Sequence, residues 1–421
     1  MKRDLPMPTH RPRTPRPAGI ARHRPAPRLR AIVPSGGRRA VGTTILGMAA
    51  LTMLVASGCG SPAAMRDEPF APAQTQDPDA SLLIDPAAAR EIDYRVDWQY
   101  PVAGRNPKHL SVQQDSVFVM DESNYLTRID REDGTRVWRI PISYPLAEIQ
   151  DVVYLPRHQR VLVISGGDLF VLNASDGSQV ERQRLEGIAN TAVVPYGDSV
   201  IYGTRHGQLA WHSHMMSVQH RAYQIAVSIV VPPAVRGNVI AVVGNDGELA
   251  AIDANTGASF WKKKLLADVV AAPAIGESAV YVAGLDQYIW AMDINTGRNI
   301  WRYLTESALT HSPVILDDRL CLQVADQGLM CFEALPYDRI NGVILWTNPD
   351  VSGTVITRRR ENLVCWDAAG RTLQVITAAR GGHVTTLELP KVNRLITSGL
   401  VEGELFASSA NGKVVRLVPR N

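Results

Sequence analysis

Two nonapeptides 40 residues apart, Asp253-Ala-Asn-Thr-Gly257-Ala-Ser-Phe-Trp261 and Asp293-Ile-Asn-Thr-Gly297-Arg-Asn-Ile-Trp301, constrain this 421-residue chain more than any other feature. Degenerate copies stand at Asp130-Arg-Glu-Asp-Gly134-Thr-Arg-Val-Trp138 and at Asn173-Ala-Ser-Asp-Gly177-Ser-Gln-Val-Glu181, and another ends in Asn341-Gly342-Val-Ile-Leu-Trp346. An Asx-led tight turn with glycine at positive φ joins two strands, and the tryptophan four residues on lies in the strand leaving the turn. A second set of turn residues keeps the same period: Asn124, Gly167, Gly207, Gly247, Gln287, Gly328, Gly370 and Gly412, at intervals of 40 to 43. Each lies between β-branched, apolar runs, such as Val239–Val243 before Gly247. Eight such hairpins at this period predict four short strands per unit and an all-β, eight-bladed β-propeller of antiparallel blades rather than a helical solenoid. After Gly412 one strand remains, whereas Tyr94–Pro101 reads as a tryptophan-bearing outer strand with no unit before it. The N-terminal strand is therefore expected to complete the last blade and close the ring, which removes exposed sheet edges.

Ahead of the repeats the charge is divided sharply. Residues 1–39 carry 11 Lys+Arg, one acid and eight prolines, and residues 40–58 carry no charge. Cleavage after Gly58 leaves a body of net charge −7, although the whole chain sums to +3. Clustered positive charge is thus confined to the leader, which argues against nucleic acid as a partner. The basic arm is too polar and proline-rich to order itself. With the apolar segment and Leu54-Val-Ala-Ser-Gly-Cys59, it has the form of an export signal. The small residues before Cys59 resemble the lipobox of bacterial lipoproteins, although Ala56 stands where that family usually has leucine. The resemblance implies cleavage before Cys59 and acylation of its thiol; an uncleaved span over 40–58 is the alternative. Residues 59–91, rich in Ala, Pro, Asp and Gln, are expected to form a flexible tether, and 92–421 the propeller.

The Asp-x-x-Thr-Gly-x-x-x-Trp blocks resemble the tryptophan-docking repeats of pyrroloquinoline-quinone (PQQ) type propellers, over roughly Asp93 to Pro419. The resemblance implies that Trp98, Trp138, Trp261, Trp301 and Trp346 dock neighbouring blades. Kelch and WD repeats are disfavoured, because Cys365-Trp366-Asp367 and the Gly-Gly pairs do not recur at the period. The quinoprotein dehydrogenases of the PQQ group need a carboxylate base, an oxygen-liganded cation and long inter-blade insertions, and many have adjacent cysteines. This chain has no adjacent cysteine pair and only a modest loop between Phe332 and Asn341, so neither catalysis nor a cofactor is expected. Cys321 and Cys331 flank a hairpin turn and should oppose one another, as a cross-strand disulfide or as two buried thiols. His206, His212, His214 and His220 cluster in the divergent third unit; a solvated strand or loop is expected there, since a zinc site needs a further ligand that the sequence does not point to. Asp168, Asp246, Asp286 and Asp326 are read as turn formers.

A short-looped, lipid-anchored propeller on a tether is most similar to the BamB-type outer-membrane assembly lipoproteins. That resemblance implies a monomeric, non-enzymatic scaffold anchored to the outer membrane and facing the periplasm, with the β-barrel insertase and unfolded barrel proteins as partners. Asp268, in Ala267-Asp-Val-Val-Ala-Ala-Pro273, matches an acidic insertase-contacting loop of the family, with Val270 where a second acid is expected. A quinoprotein dehydrogenase, and an envelope adhesion or sensory propeller binding polysaccharide or protein, are the competing readings.

Overall fold

In the computed structural model the described residues are 82–101, 104–143, 147–337 and 340–420, all within one compact unit, Thr75–Asn421. The basic arm, the apolar segment and Cys59 lie outside them. Among the described residues, no helix is long and apolar enough to cross a membrane.

Eight four-stranded antiparallel sheets follow one another along the chain as the blades of a ring. Blade 4 shows the pattern: Ala234–Arg236, Val239–Val243, Glu248–Asp253 and Ser259–Lys264 pair in order, with Val242 opposite Ala250 and Ala251 opposite Trp261. Its second and third strands are buried on both faces, because each lies between two neighbouring blades; this is why they read as unbroken apolar runs. On the outer strand every residue but Trp261 is at least partly exposed. Each hydrophobic cluster accordingly spans a seam between blades. The cluster at the seam of blades 4 and 5, for example, joins Ala241 and Leu249 to Val280 and Trp290. In blade 8, Val392–Thr397, Leu405–Ser409 and Val414–Pro419 are completed by the N-terminal strand Tyr94–Tyr100, with Tyr94 opposite Pro419 and Tyr100 opposite Val414.

The expected tether is shorter than 59–91 at its C-terminal end. Leu83, Ile84, Ala89 and Ile92 are buried against Leu373, Leu405 and Leu417 of blades 7 and 8. A short helix, Pro86–Glu91, begins there, with the Asp85 carboxylate accepting from the Ala87 N–H at 2.8 Å and proline in its first turn.

At the outer corner of blade 4, the carboxylate of Asp253 accepts the N–H groups of Asn255 and Thr256 at 2.9 and 2.7 Å, and Asp293 does the same in blade 5. These bonds hold both carboxyls below the usual carboxylate range, led by the Thr256 N–H in one and the Thr296 hydroxyl in the other. The turn places one carbonyl outward, directly after the third strand. Trp98, Trp138, Trp261, Trp301 and Trp346 each donate the indole N–H to that carbonyl in the next blade, on Arg131, Ala174, Ile294, Ala334 and Ala378, at 2.8–3.0 Å. Glycine is required beneath the ring. A Cβ on Gly297, at φ +67°, would come within 2.6 Å of the Trp261 ring, and one on Gly381 within 2.4 Å of Trp346.

Candidate partner-binding face

Because the strands alternate in direction, the turns between third and fourth strands lie on one face of the ring, and the connections from one blade to the next lie on the other. Four of these inter-blade connections are nine-residue segments in the same register: Leu185–Val193, Ile225–Pro233, Leu265–Pro273 and Thr305–Pro313. The first residue of each donates its N–H to Gly167, Gly207, Gly247 or Gln287, respectively, in the hairpin of the preceding blade. The fifth, Ala189, Ile229, Val269 or Leu309, is fully buried and donates to the backbone of Gly166, Thr204, Asn245 or Gly284. Two anchors hold the backbone and leave the residues between and just beyond them to face solvent. Those residues are unusually apolar: Val227 and Leu266 are each 72% exposed, and Ile188, Val230 and Val270 are also exposed. Together they form an apolar arc over three consecutive seams, on loops fixed by the ring.

Asp268 lies within this arc, between Leu266 and Val270. Its carbonyl accepts from the Leu285 N–H at 2.9 Å, and its exposed carboxylate has no hydrogen-bond or ion-pair partner among the described residues. The structure therefore places the predicted residue on a rigid loop with its charge available. The apolar arc around it carries no distinctive sequence signal, since exposed and buried aliphatic residues alternate in these loops with neither a strand nor a helix period.

Elsewhere the predicted residues sort by packing. Cys321 and Cys331 oppose one another in paired strands, as thiols with Sγ atoms 3.9 Å apart, and Cys365 joins them in the same buried cluster. Burial pushes the Cys365 thiol up to about 12. Asp246 and Asp286 accept backbone N–H groups of their own hairpins, from Glu248 and Tyr288 at 3.3 and 3.0 Å. The expected solvated histidine segment is corrected for two of its members. His212 and His214 are buried, His212 at the end of the third strand of blade 3 and His214 at the docking turn after it, because the neighbouring blade packs over both. His212 Nε2 lies 2.8 Å from Gln183 Oε1 of blade 2, and burial first, then the charges of His214 and His220, pushes its imidazole down to about 4.

A family profile described as "Outer membrane protein assembly factor BamB" matches residues 88–194 and 196–417. Among solved structures, the chain is similar to BamB from Moraxella catarrhalis, with 19% identity and a TM-score of 0.61 over 77% of this chain and 97% of that one. It is also similar to the computationally designed Ika8 protein, with 15% identity and a TM-score of 0.60 over 76% of this chain and all of that one. A sequence search of curated proteins returned no match. At these identities the two structures bear on the fold alone, whereas the profile covers nearly the entire ring: the chain belongs to the BamB family of outer membrane protein assembly factors.

Proposed function

We propose that this protein is a non-enzymatic, lipid-anchored scaffold of the bacterial envelope that binds the β-barrel insertase and assists assembly of outer-membrane barrel proteins. The observation that carries the reading is the exposed apolar arc of Val227, Leu266 and Val270, held on doubly anchored loops with the free carboxylate of Asp268 among them. Aliphatic side chains surrounded by polar ones on a preformed surface suit a protein partner, since binding then orders little of the scaffold. Membership of the BamB family supports the choice of partner, and the lipobox-like segment ending at Cys59 supports the anchor and a periplasmic-facing position on the outer membrane.

The test is affinity purification from solubilised membranes, with bound proteins identified by mass spectrometry. Wild type is expected to retain an outer-membrane β-barrel insertase, and the double variant Val227→Asp, Leu266→Asp to lose it while melting as wild type does. Asp268→Lys should weaken retention by a smaller factor. Retention of the insertase by the double variant would displace the arc as the docking surface, and its absence from the wild-type eluate would remove the reading.

A further inference from the structure

The seam between blades 2 and 3 gathers three metal-ligating side chains from two blades. His158 ends the short 3-10 turn Pro156–His158 of blade 2, Asp198 sits in the first hairpin of blade 3, and His214 occupies the docking turn of that blade. One ligand atom from each lies within 4.8 Å of the others. His158 Nε2 and Asp198 Oδ1 are 3.5 Å apart, close to the edge of a tetrahedron drawn around a cation with ligand bonds of about 2.0–2.2 Å. The two imidazoles meet edge to face, with centroids 5.2 Å apart. A second observation is independent of this clustering. His214 is only 4% exposed, yet its Nε2 has no hydrogen-bond partner among the described residues. A buried polar nitrogen left unpaired is costly, and coordination is one way to satisfy it.

We propose that His158, Asp198 and His214 bind a late first-row divalent cation, of which Zn²⁺ is the representative, and that the cation clips blade 2 to blade 3. Two imidazoles and one carboxylate match the donor preferences of that class and do not suit Mg²⁺ or Ca²⁺, which favour all-oxygen shells. The clip falls at a seam without a docking tryptophan: Glu181 stands at the tryptophan position of blade 2. His214 is held in place there, its N–H donating to the Asp198 carbonyl and its own carbonyl accepting from Gln183 Nε2 at 2.7 Å. Asp198 and His158 are exposed or half-buried, so their side chains can close the remaining distance without moving the backbone. Three protein ligands leave a further position for water or for a partner's side chain.

The experiment is equilibrium dialysis of the untagged full chain against Zn²⁺, with Co²⁺ absorption as a report on geometry and thermal melts with and without Zn²⁺. Wild type is expected to bind one Zn²⁺ that is lost in His158→Ala and in Asp198→Asn, by a factor on the order of 100 or more in Kd. His220→Ala, a nearby exposed histidine bonded to Ser199, serves as the control and should bind as wild type. Zn²⁺ should also raise the melting temperature of wild type and of the control but not of the two ligand variants, whose metal-free melts should match wild type. Equal binding by the ligand variants, or no saturable Zn²⁺ binding by wild type, would overturn the site.

Discussion

Six seams of the ring and the two that differ from them solve the same problem with different atoms. At six, an indole N–H reaches the carbonyl that follows the third strand of the next blade; besides the five predicted tryptophans, Trp211 does so toward Ala254 at 3.0 Å, from the third strand rather than the fourth. At the seam of blades 2 and 3, Gln183 donates to the equivalent carbonyl on His214, and the Ser217 hydroxyl donates to Glu181 where a glycine would lie under a tryptophan. At the seam of blades 7 and 8, the guanidinium groups of Arg359 and Arg360 reach the carbonyl of Arg420, with Asp93 and Glu402 paired around Arg359. What is constant is the acceptor. The donor changes with the local side chains, so the repeat is best defined by its outward carbonyl and only secondarily by its tryptophan. At the seam of blades 2 and 3 both differ, with Ser217 at φ +56° in place of the glycine and Glu181 in place of the indole, whereas Gly257 is kept beneath Arg221 at the seam of blades 3 and 4.

That comparison can be broken most forcefully at a regular seam. Trp301 is fully buried, and Trp301→Ala should cost about 3–5 kcal/mol in denaturant unfolding. Trp301→Phe, which keeps a ring but loses the bond to Ala334, should cost about 1–2 kcal/mol. No measurable loss in Trp301→Phe would mean that the ring packs and the hydrogen bond does nothing, and a loss equal to that of Trp301→Ala would mean that a retained ring contributes nothing.

The next effect is acid-dependent. Burial first, then the neighbouring positive charge of Arg394 in blade 8, pushes His109 of blade 1 down to about 4. The unfolded chain therefore binds a proton near pH 6.5 that the folded chain refuses until about 4. Stability from the neutral ring is complete above pH 6.5 and declines as pH falls through that window, by at most about 3 kcal/mol. Unfolding free energies at pH 7 and 4.5 should converge in His109→Gln relative to wild type; an unchanged difference would assign the acid sensitivity elsewhere.

Smaller effects test the irregular seam. Gln183→Leu leaves the His214 carbonyl without its donor and should cost about 1–3 kcal/mol. Glu181→Trp alone should destabilise, because the Ser217 side chain occupies the space the indole needs. Adding Ser217→Gly should reverse the loss and relieve the left-handed backbone, for a net gain of about 1 kcal/mol over wild type. A double variant no more stable than Glu181→Trp would show that the pairing of glycine and tryptophan does not transfer between seams.

The ring was legible because its signals are local and repeated. Asx-Gly turns, β-branched runs and the tryptophan offset recur at one period, and the orphan strand at Tyr94 announced the closure. Trp211 was missed because an indole one strand inward reaches the same carbonyl without keeping the sequence offset, its partner position being taken by Arg221. The docking turn of blade 7 was missed because Thr377 leads it and no tryptophan follows Gly381. The helix at Pro86 was hidden in a composition that resembles a tether, although Leu83 and Ile84 ahead of an Asp-Pro cap were the available signal. His158 meets Asp198 and His214 only through the juxtaposition of two blades, which no spacing encodes. The apolar arc escaped for a related reason: whether Leu265 or Leu266 faces solvent depends on which N–H the preceding hairpin captures.

The docking bonds occupy the turn face and leave the connection face free for a partner, and this division can be tested in the cell envelope by site-specific photo-cross-linking. A photoreactive residue at Leu266 or Val227 should capture the outer-membrane β-barrel insertase, and one at Arg298, on the opposite turn face, should not. Capture from Arg298 but from neither Leu266 nor Val227 would contradict the assignment of the partner face.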